Sequence, residues 1–252
     1  MSQVWMAFPV GIIIASAATS VGIGGGILWM PFFLIILKLT PESAVLTSLI
    51  IQTAGMGSAS IANLRSGRVD LKLATVLFFL AIPGIAAGAW FTRRIAPAGI
   101  EFVLGLLTLA TAFLFVSTSD KYGDPGMTHA DLKKAVPLSW IFPMISIASG
   151  MLSVSIGEWL IPLMRSKLTM RMSAAVATSI TTVFGSCLVG AFVHLSLGGK
   201  VDATVLLFAV PGVVLGGQLG PRIMERIHER QLKEVFVFLL TLIGIHLLYN
   251  SF

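Results

Sequence analysis

A glycine cluster, Gly22-Ile23-Gly24-Gly25-Gly26, interrupts a long apolar run that ends in Trp29-Met30-Pro31. Glycine lets a backbone come close to another group. Where a helix restarts after such a cluster, its unpaired N–H groups and the positive end of its dipole suit an anion. A nucleotide loop does not fit, because no strand precedes the cluster and no Gly-Lys-[Ser/Thr] follows. Close packing of helices through small residues is the competing reading. In the second half of the chain the matching stretch is Ser153-Val154-Ser155-Ile156-Gly157-Glu158, in which Gly157 corresponds to Gly26. Glu158 lies well inside an apolar run, where an ionised acid is costly and is usually functional or else protonated. It reads either as a coupling group for a proton or cation, or as a carboxylate that caps the N-terminus of its own half-helix.

The helix after each interruption is polar along its early turns. Thr47, Ser48, Gln52 and Thr53 stand in the first half; Thr178, Ser179, Thr181, Thr182 and Ser186 stand in the second. Hydroxyl and amide donors can hold the oxygens of an anion without a fixed charge that would trap it. Ordinary hydrogen bonding between membrane helices is the alternative. Thr47, Ser48, Gln52, Thr178 and Ser179 therefore join Gly22, Gly24, Gly25, Gly26 and Gly157 as candidate anion-binding residues. His194 lies 131 residues beyond Asn63, toward the end of the same helix as Ser179. Its imidazole could carry a proton or make a structural hydrogen bond, and with Glu158 it is the candidate coupling residue. Cys187, the single cysteine, has no partner for an internal disulfide and no companion thiols for a metal cluster, so neither metal nor cofactor is expected. The sequence contains no His-Glu-x-x-His and no Gly-x-Ser-x-Gly, which weakens an intramembrane enzyme.

These residues need elements to position them, and the composition says which. Of 252 residues, 56% are hydrophobic and 11% charged, with a mean hydropathy of +0.94. Soluble domains carry about 45–50% apolar and about 25% charged residues. The expected fold is an all-α polytopic membrane protein, in which about 20 residues make one crossing. The 17 Lys and Arg outnumber the 11 Asp and Glu, but they are scattered among loops, so no nucleic-acid partner is expected. The longest polar break, with Asp120, Lys121, Asp124, His129, Asp131, Lys133 and Lys134, reads as a cytoplasmic linker over 118–135. It divides the chain into a first transmembrane repeat, 1–117, and a second, 136–252. The repeats share motifs in one order: Pro31 with Pro162, Ala44-Val45-Leu46-Thr47-Ser48 with Ala175-Val176-Ala177-Thr178-Ser179, and Gly67-Arg68-Val69-Asp70 with Gly199-Lys200-Val201-Asp202. Pro83-Gly84-x-x-x-Gly88 then recurs as Pro211-Gly212-x-x-x-Gly216. Internal duplication is a recurrent feature of secondary transporters.

The first run of each repeat, 4–37 and 136–164, is longer than one crossing and shorter than two. It is either one long tilted helix or a broken helix that dips in and returns. If each first run returns and each repeat then adds three full spans, thirteen of the 17 Lys and Arg collect on one face and four, Lys38, Arg93, Arg94 and Lys200, on the other. A single crossing gives a ten-to-seven split instead. Basic loops belong on the cytoplasmic side, so the returning arrangement is preferred. It predicts two inverted repeats, each a re-entrant hairpin plus three transmembrane helices, with both termini extracytoplasmic. The start, Met1-Ser2-Gln3-Val4-Trp5, lacks the basic region of a cleaved signal, so the first apolar stretch is expected to stay.

The glycine cluster ending at Pro31, Thr47-Ser48 on the next helix, the Gly-[Arg/Lys]-Val-Asp turns and the Pro-Gly-x-x-x-Gly segments together resemble the sulfite exporter TauE/SafE family, over nearly the whole chain. The resemblance implies a permease of the bacterial inner membrane for sulfite, organosulfonates or related sulfur anions, driven by an ion gradient. Its partners would be that small anion, a coupling proton or sodium ion, and the lipid bilayer, with a homo-oligomer left open. An anion channel and an intramembrane enzyme are the alternatives. In such proteins the second repeat often carries its own glycine-rich turn; here it has serines and Glu158.

Overall fold

The computed structural model describes residues 3–92, 94–95, 97–117, 126–132, 139–153 and 155–224, with scattered positions from 234 to 249. Parts of the expected linker and most of the last expected span lie outside the described residues. A 3₁₀ turn, Val4–Met6, leads into α1 (Ala7–Val21). After a break, α2 (Gly26–Pro31) continues as a π-helical turn, Phe32–Ile36. Then come α3 (Pro41–Arg65), α4 (Leu71–Thr92), α5 (Pro97–Ser117), α6 (Ile141–Leu152), α7 (Gly157–Leu168), α8 (Met172–Ser196) and α9 (Ala203–Met224). Among the described residues there is no strand, only an isolated bridge between Met127 and Met170. Five stretches are long and apolar enough to cross a membrane: Val4–Val21, Pro41–Arg65, Leu71–Thr92, Met172–Ser196 and Ala203–Arg222. The chain is an all-α polytopic membrane protein.

Local chemistry sets the boundaries. Pro41 opens α3, where its missing N–H costs nothing. Asp70 caps α4 by accepting the Leu73 N–H at 3.1 Å, and Asp202 caps α9 by accepting the Val205 N–H at 3.0 Å. These are the aspartates of the recurrent Gly-[Arg/Lys]-Val-Asp turns. The glycine that ends each preceding helix in the left-handed region is Gly67 (φ 67°) in one turn and Gly198 (φ 82°) in the other. Gly199 is therefore not the structural counterpart of Gly67: the second turn is one residue longer, and the sequence match had slipped by one at its glycine.

The most extensive packing joins elements from opposite halves of the chain, α1 with α9 and α4 with α6. A Cβ on Gly84 or Gly88 of α4 would run into the carbonyls of Pro143 or Ile147 of α6. A Cβ on Gly212 or Gly216 of α9 would run into those of Phe8 or Ile12 of α1. Both Pro-Gly-x-x-x-Gly motifs are thus seams where backbones touch, as small residues allow in lipid. The Thr92 hydroxyl adds a hydrogen bond to Met151 O across one seam, and the Ser20 hydroxyl one to Gly220 O across the other. α3 and α8 pack on each other in the middle, α3 also on α9 and α8 also on α4.

Contacts between turns sort the loops by end. At one end, the Asp70 carboxylate accepts the Ala130 N–H at 2.8 Å and lies 3.8 Å from His129 Nδ1. Arg171 Nε donates to Gly126 O there, beside the Met127–Met170 bridge. At the other end, the amide of Asp202 donates to Thr47 Oγ1, and Gly199 sits against Leu46. After α7 the chain comes back at Met170 to pair with Met127, which precedes α6, so α6 and α7 fold as a hairpin. The run containing α1 and α2 also turns: Gly25 lies against Ile14, where a Cβ would come within 2.9 Å of Cγ2. Eleven residues of continuous helix would instead separate them by about 16 Å. The two legs of this first run are unequal, 18 residues over Val4–Val21 against eleven over Gly26–Ile36, so its first leg is more than a half-helix.

Candidate functional site

α1 ends at Gly22 in the left-handed conformation (φ 82°), and α6 ends likewise at Ser153 (φ 58°), 131 residues further on. The chain then crosses itself. Gly26 packs on the Ser153 carbonyl, the Gly24 amide donates to Ser155 Oγ at 2.6 Å, and Gly157 packs on the Gly22 carbonyl. Gly24 and Ser155 are themselves 131 residues apart, and the Gly26–Ser153 and Gly22–Gly157 contacts exchange under the same offset. No Cβ fits at Gly24 or Gly26, because Ser155 and the Ser153 carbonyl already fill that space. The two interruptions are thus one antiparallel crossing at which the breaks grip each other.

The polar helices reach this crossing from either side. Gln52 of α3 accepts the Gly26 N–H on Oε1 at 3.1 Å. Its Nε2 donates to Ser153 O (3.1 Å), Ser153 Oγ (2.7 Å) and Ser48 Oγ (3.1 Å). Ser179 of α8 donates to Gly22 O at 2.8 Å. Ser48 and Ser179 occupy the eighth position of their 25-residue helices, and Gln52 the twelfth, so the crossing sits in the middle stretch of both. Ser155 Oγ is saturated. It accepts from Gly24 and from Gly157 (3.0 Å), and it donates to Glu158 Oε2 at 3.1 Å. Glu158 is 1% exposed, and its Oε1 has no hydrogen-bond partner among the described residues.

The structure thus gathers Gly22, Gly24, Gly25, Gly26, Ser48, Gln52, Gly157, Glu158 and Ser179 around the crossing. It does not bring Thr47 and Thr178 to it. Their hydroxyls accept the backbone N–H of Asp202 (3.2 Å) and Asp70 (3.0 Å), binding each polar helix to the turn of the other half. His194 lies near the far end of α8, about 22 Å along the helix from Ser179, with Nε2 at 2.8 Å from Gly150 O. Ser153 and Ser155 were missed by motif reasoning, which looked for glycines; their 131-residue spacing from Gly22 and Gly24 was the available signal. One expectation changes in kind. The amides of Gly22, Ile23, Gly24 and Gly26 are not bare: the first two donate to Ala18 O, and the others to Ser155 and Gln52. Buried amides rarely stay unpaired, and the second break supplies the acceptors.

The profile of the sulfite exporter TauE/SafE family matches residues 7–247. The chain belongs to this family. Among TauE/SafE-like relatives is a probable membrane transporter protein, YunE, of Bacillus subtilis, 22% identical over 96% of both chains. ORF9 of a Sinorhizobium, also a probable membrane transporter protein, is 26% identical over 95% of this chain and 90% of its own. MamO of Paramagnetospirillum magneticum, described in the same words, is 24% identical over 95% of this chain but only 44% of its own length. No solved structure matches. This TauE/SafE protein is a membrane transporter by family.

Proposed function

We propose that this protein is a secondary transporter of sulfite, organosulfonates or related sulfur anions across the bacterial inner membrane. It works by alternating access between two inverted repeats (1–117 and 136–252, joined by a cytoplasmic linker), with both termini extracytoplasmic. The observation that carries the reading is the crossing of two broken helices at mid-length of α3 and α8. Broken helices at a repeat interface mark the site in many transporters, and their N-termini favour negative charge. The anion binds at the crossing, where Gly22, Gly24, Gly25, Gly26 and Gly157 meet Ser48, Gln52 and Ser179, by taking over amide and hydroxyl donors that the crossing otherwise pairs internally. Thr47 and Thr178 hold the helices that carry those donors. A proton or sodium gradient drives the cycle through Glu158, with His194 as the second coupling candidate.

The test is uptake of radiolabelled sulfite into proteoliposomes with and without an imposed ion gradient. A transporter gives saturable accumulation above equilibrium under a gradient. Unsaturable entry that ignores every gradient contradicts this reading and describes a channel.

A further inference from the structure

We propose that the Ser155 hydroxyl is a built-in stand-in for the transported anion and that Glu158 releases it: anion and proton enter the crossing together and leave in the same direction. This inference rests on the anion-transport reading above. A hydroxyl has one proton to donate and two lone pairs, and Ser155 commits all three, to Glu158 Oε2 and to the amides of Gly24 and Gly157. One oxygen thus lies on two converging backbone N–H groups at the start of α7, as an anion's oxygen would. An anion can use those donors only by displacing it.

The carboxyl beside it decides when. While Glu158 is ionised it holds the Ser155 proton and repels a second negative charge in a site from which water is excluded. Its other oxygen, Oε1, is buried with no partner among the described residues. A proton on Oε1 removes the repulsion and turns that oxygen into a donor for the arriving anion. Ser155 loses its charged acceptor and rotates away, and one anion oxygen takes the Gly24 and Gly157 amides. The only bond made and broken is the carboxyl O–H; its proton comes from one side of the membrane and leaves on the other with the anion. Among the described residues, the helices around the crossing place their other titratable groups at their ends, apart from one thiol. α1, α2 and α6 contain no titratable side chain, α3 has Glu42 and Arg65 only at its ends, and α7 has Arg165 and Lys167 in its last turn. α4 begins at Leu71 with Lys72 in its first turn, α9 carries Arg222 in its last, and α8 has His194 near its end, bonded to Gly150 O, and the buried thiol of Cys187. The first repeat cannot do this: Gly24 and Ile27 stand where the second has Ser155 and Glu158.

The experiment is sulfite counterflow and gradient-driven uptake in proteoliposomes across the neutral pH range, for the wild type, Glu158→Gln and Ser155→Ala. Sulfite's own titration is common to all three and cancels in the comparison. The wild type should accumulate sulfite about tenfold per unit of inward pH gradient for one proton per monoanion. Glu158→Gln should lose that accumulation and retain slower counterflow whose pH profile no longer follows the wild type. Ser155→Ala should lower the KM for sulfite severalfold and increase the thermal stabilisation that sulfite gives, because the amides await an anion. Gradient-driven accumulation with the wild-type pH profile in Glu158→Gln overturns the proposal and makes Glu158 a helix cap. A raised KM in Ser155→Ala overturns it by making the hydroxyl a direct ligand, and accumulation driven by sodium but not protons overturns it as well. Absence of wild-type counterflow at every pH refutes the transport reading itself, and this inference with it.

Discussion

Gln52 does at one position what most of the crossing depends on. Its amide is buried and makes four hydrogen bonds, to Gly26, Ser48 and twice to Ser153. Replacing it with leucine leaves the Gly26 N–H with only the Gly24 carbonyl and strands the Ser153 carbonyl in the buried crossing. Gln52→Leu is expected to destabilise the protein by about 1–3 kcal/mol and to abolish sulfite counterflow; thermal unfolding in detergent and proteoliposome assays would show both. Ser153 explains part of what the sequence concealed. A serine held at φ 58° strains where glycine would not, so nothing in its residue type announced a helix C-terminus. Gln52 holds it there, through a contact between residues 101 positions apart. The glycine cluster, by contrast, announced the first break outright, because three adjacent glycines do not persist inside a helix without cause.

At the scale of elements, each glycine's neighbour predicts its tolerance. A Cβ on Gly25 would meet a side-chain methyl, Cγ2 of Ile14, at 2.9 Å, whereas one on Gly26 would lie much closer still to the backbone carbonyl of Ser153. Gly26→Ala should therefore force the two breaks apart, costing roughly 1–3 kcal/mol by overpacking, while Gly25→Ala costs less. Comparing their melting temperatures with the wild type tests the order, and equal losses would contradict the crossing. The seams make a paired prediction. Gly88→Val and Gly216→Val push side chains into the carbonyls of Ile147 and Ile12, so both should lower yield and melting temperature, each through a different hairpin. The sequence showed these Pro-Gly-x-x-x-Gly segments as packing faces, since small residues at four-residue spacing line one side of a helix. It did not show their partners. Nothing in α4 specifies α6 rather than α3, because that choice is made by the three-dimensional exchange of hairpins between halves.

For the whole molecule, the distribution of charge and the grouping of turns point the same way. The Asp70 turn, residues 126–131 and Arg171 meet at one end, and those are loops that charge counting assigned to the cytoplasm. The Thr47–Asp202 contact lies at the other end, near Lys38 and Lys200. Single cysteines at Arg68 and Arg171 should react with an impermeant thiol reagent only from the cytoplasmic side, and cysteines at Lys38 and Lys200 only from outside; Cys187 is buried and gives no background. Membrane class and the two breaks were legible from composition and glycine spacing, which act locally. The mutual grip of the breaks and the tethering roles of Thr47 and Thr178 were not, because each depends on a partner more than 100 residues away. An anion seated at the crossing is visible by bromine anomalous diffraction from crystals soaked in 2-bromoethanesulfonate. A bromine peak is expected within one side-chain length of Ser155, between Gln52 and Ser179. A peak elsewhere, such as beside Arg94 or Arg222 at the helix ends, with none at the crossing, would contradict it.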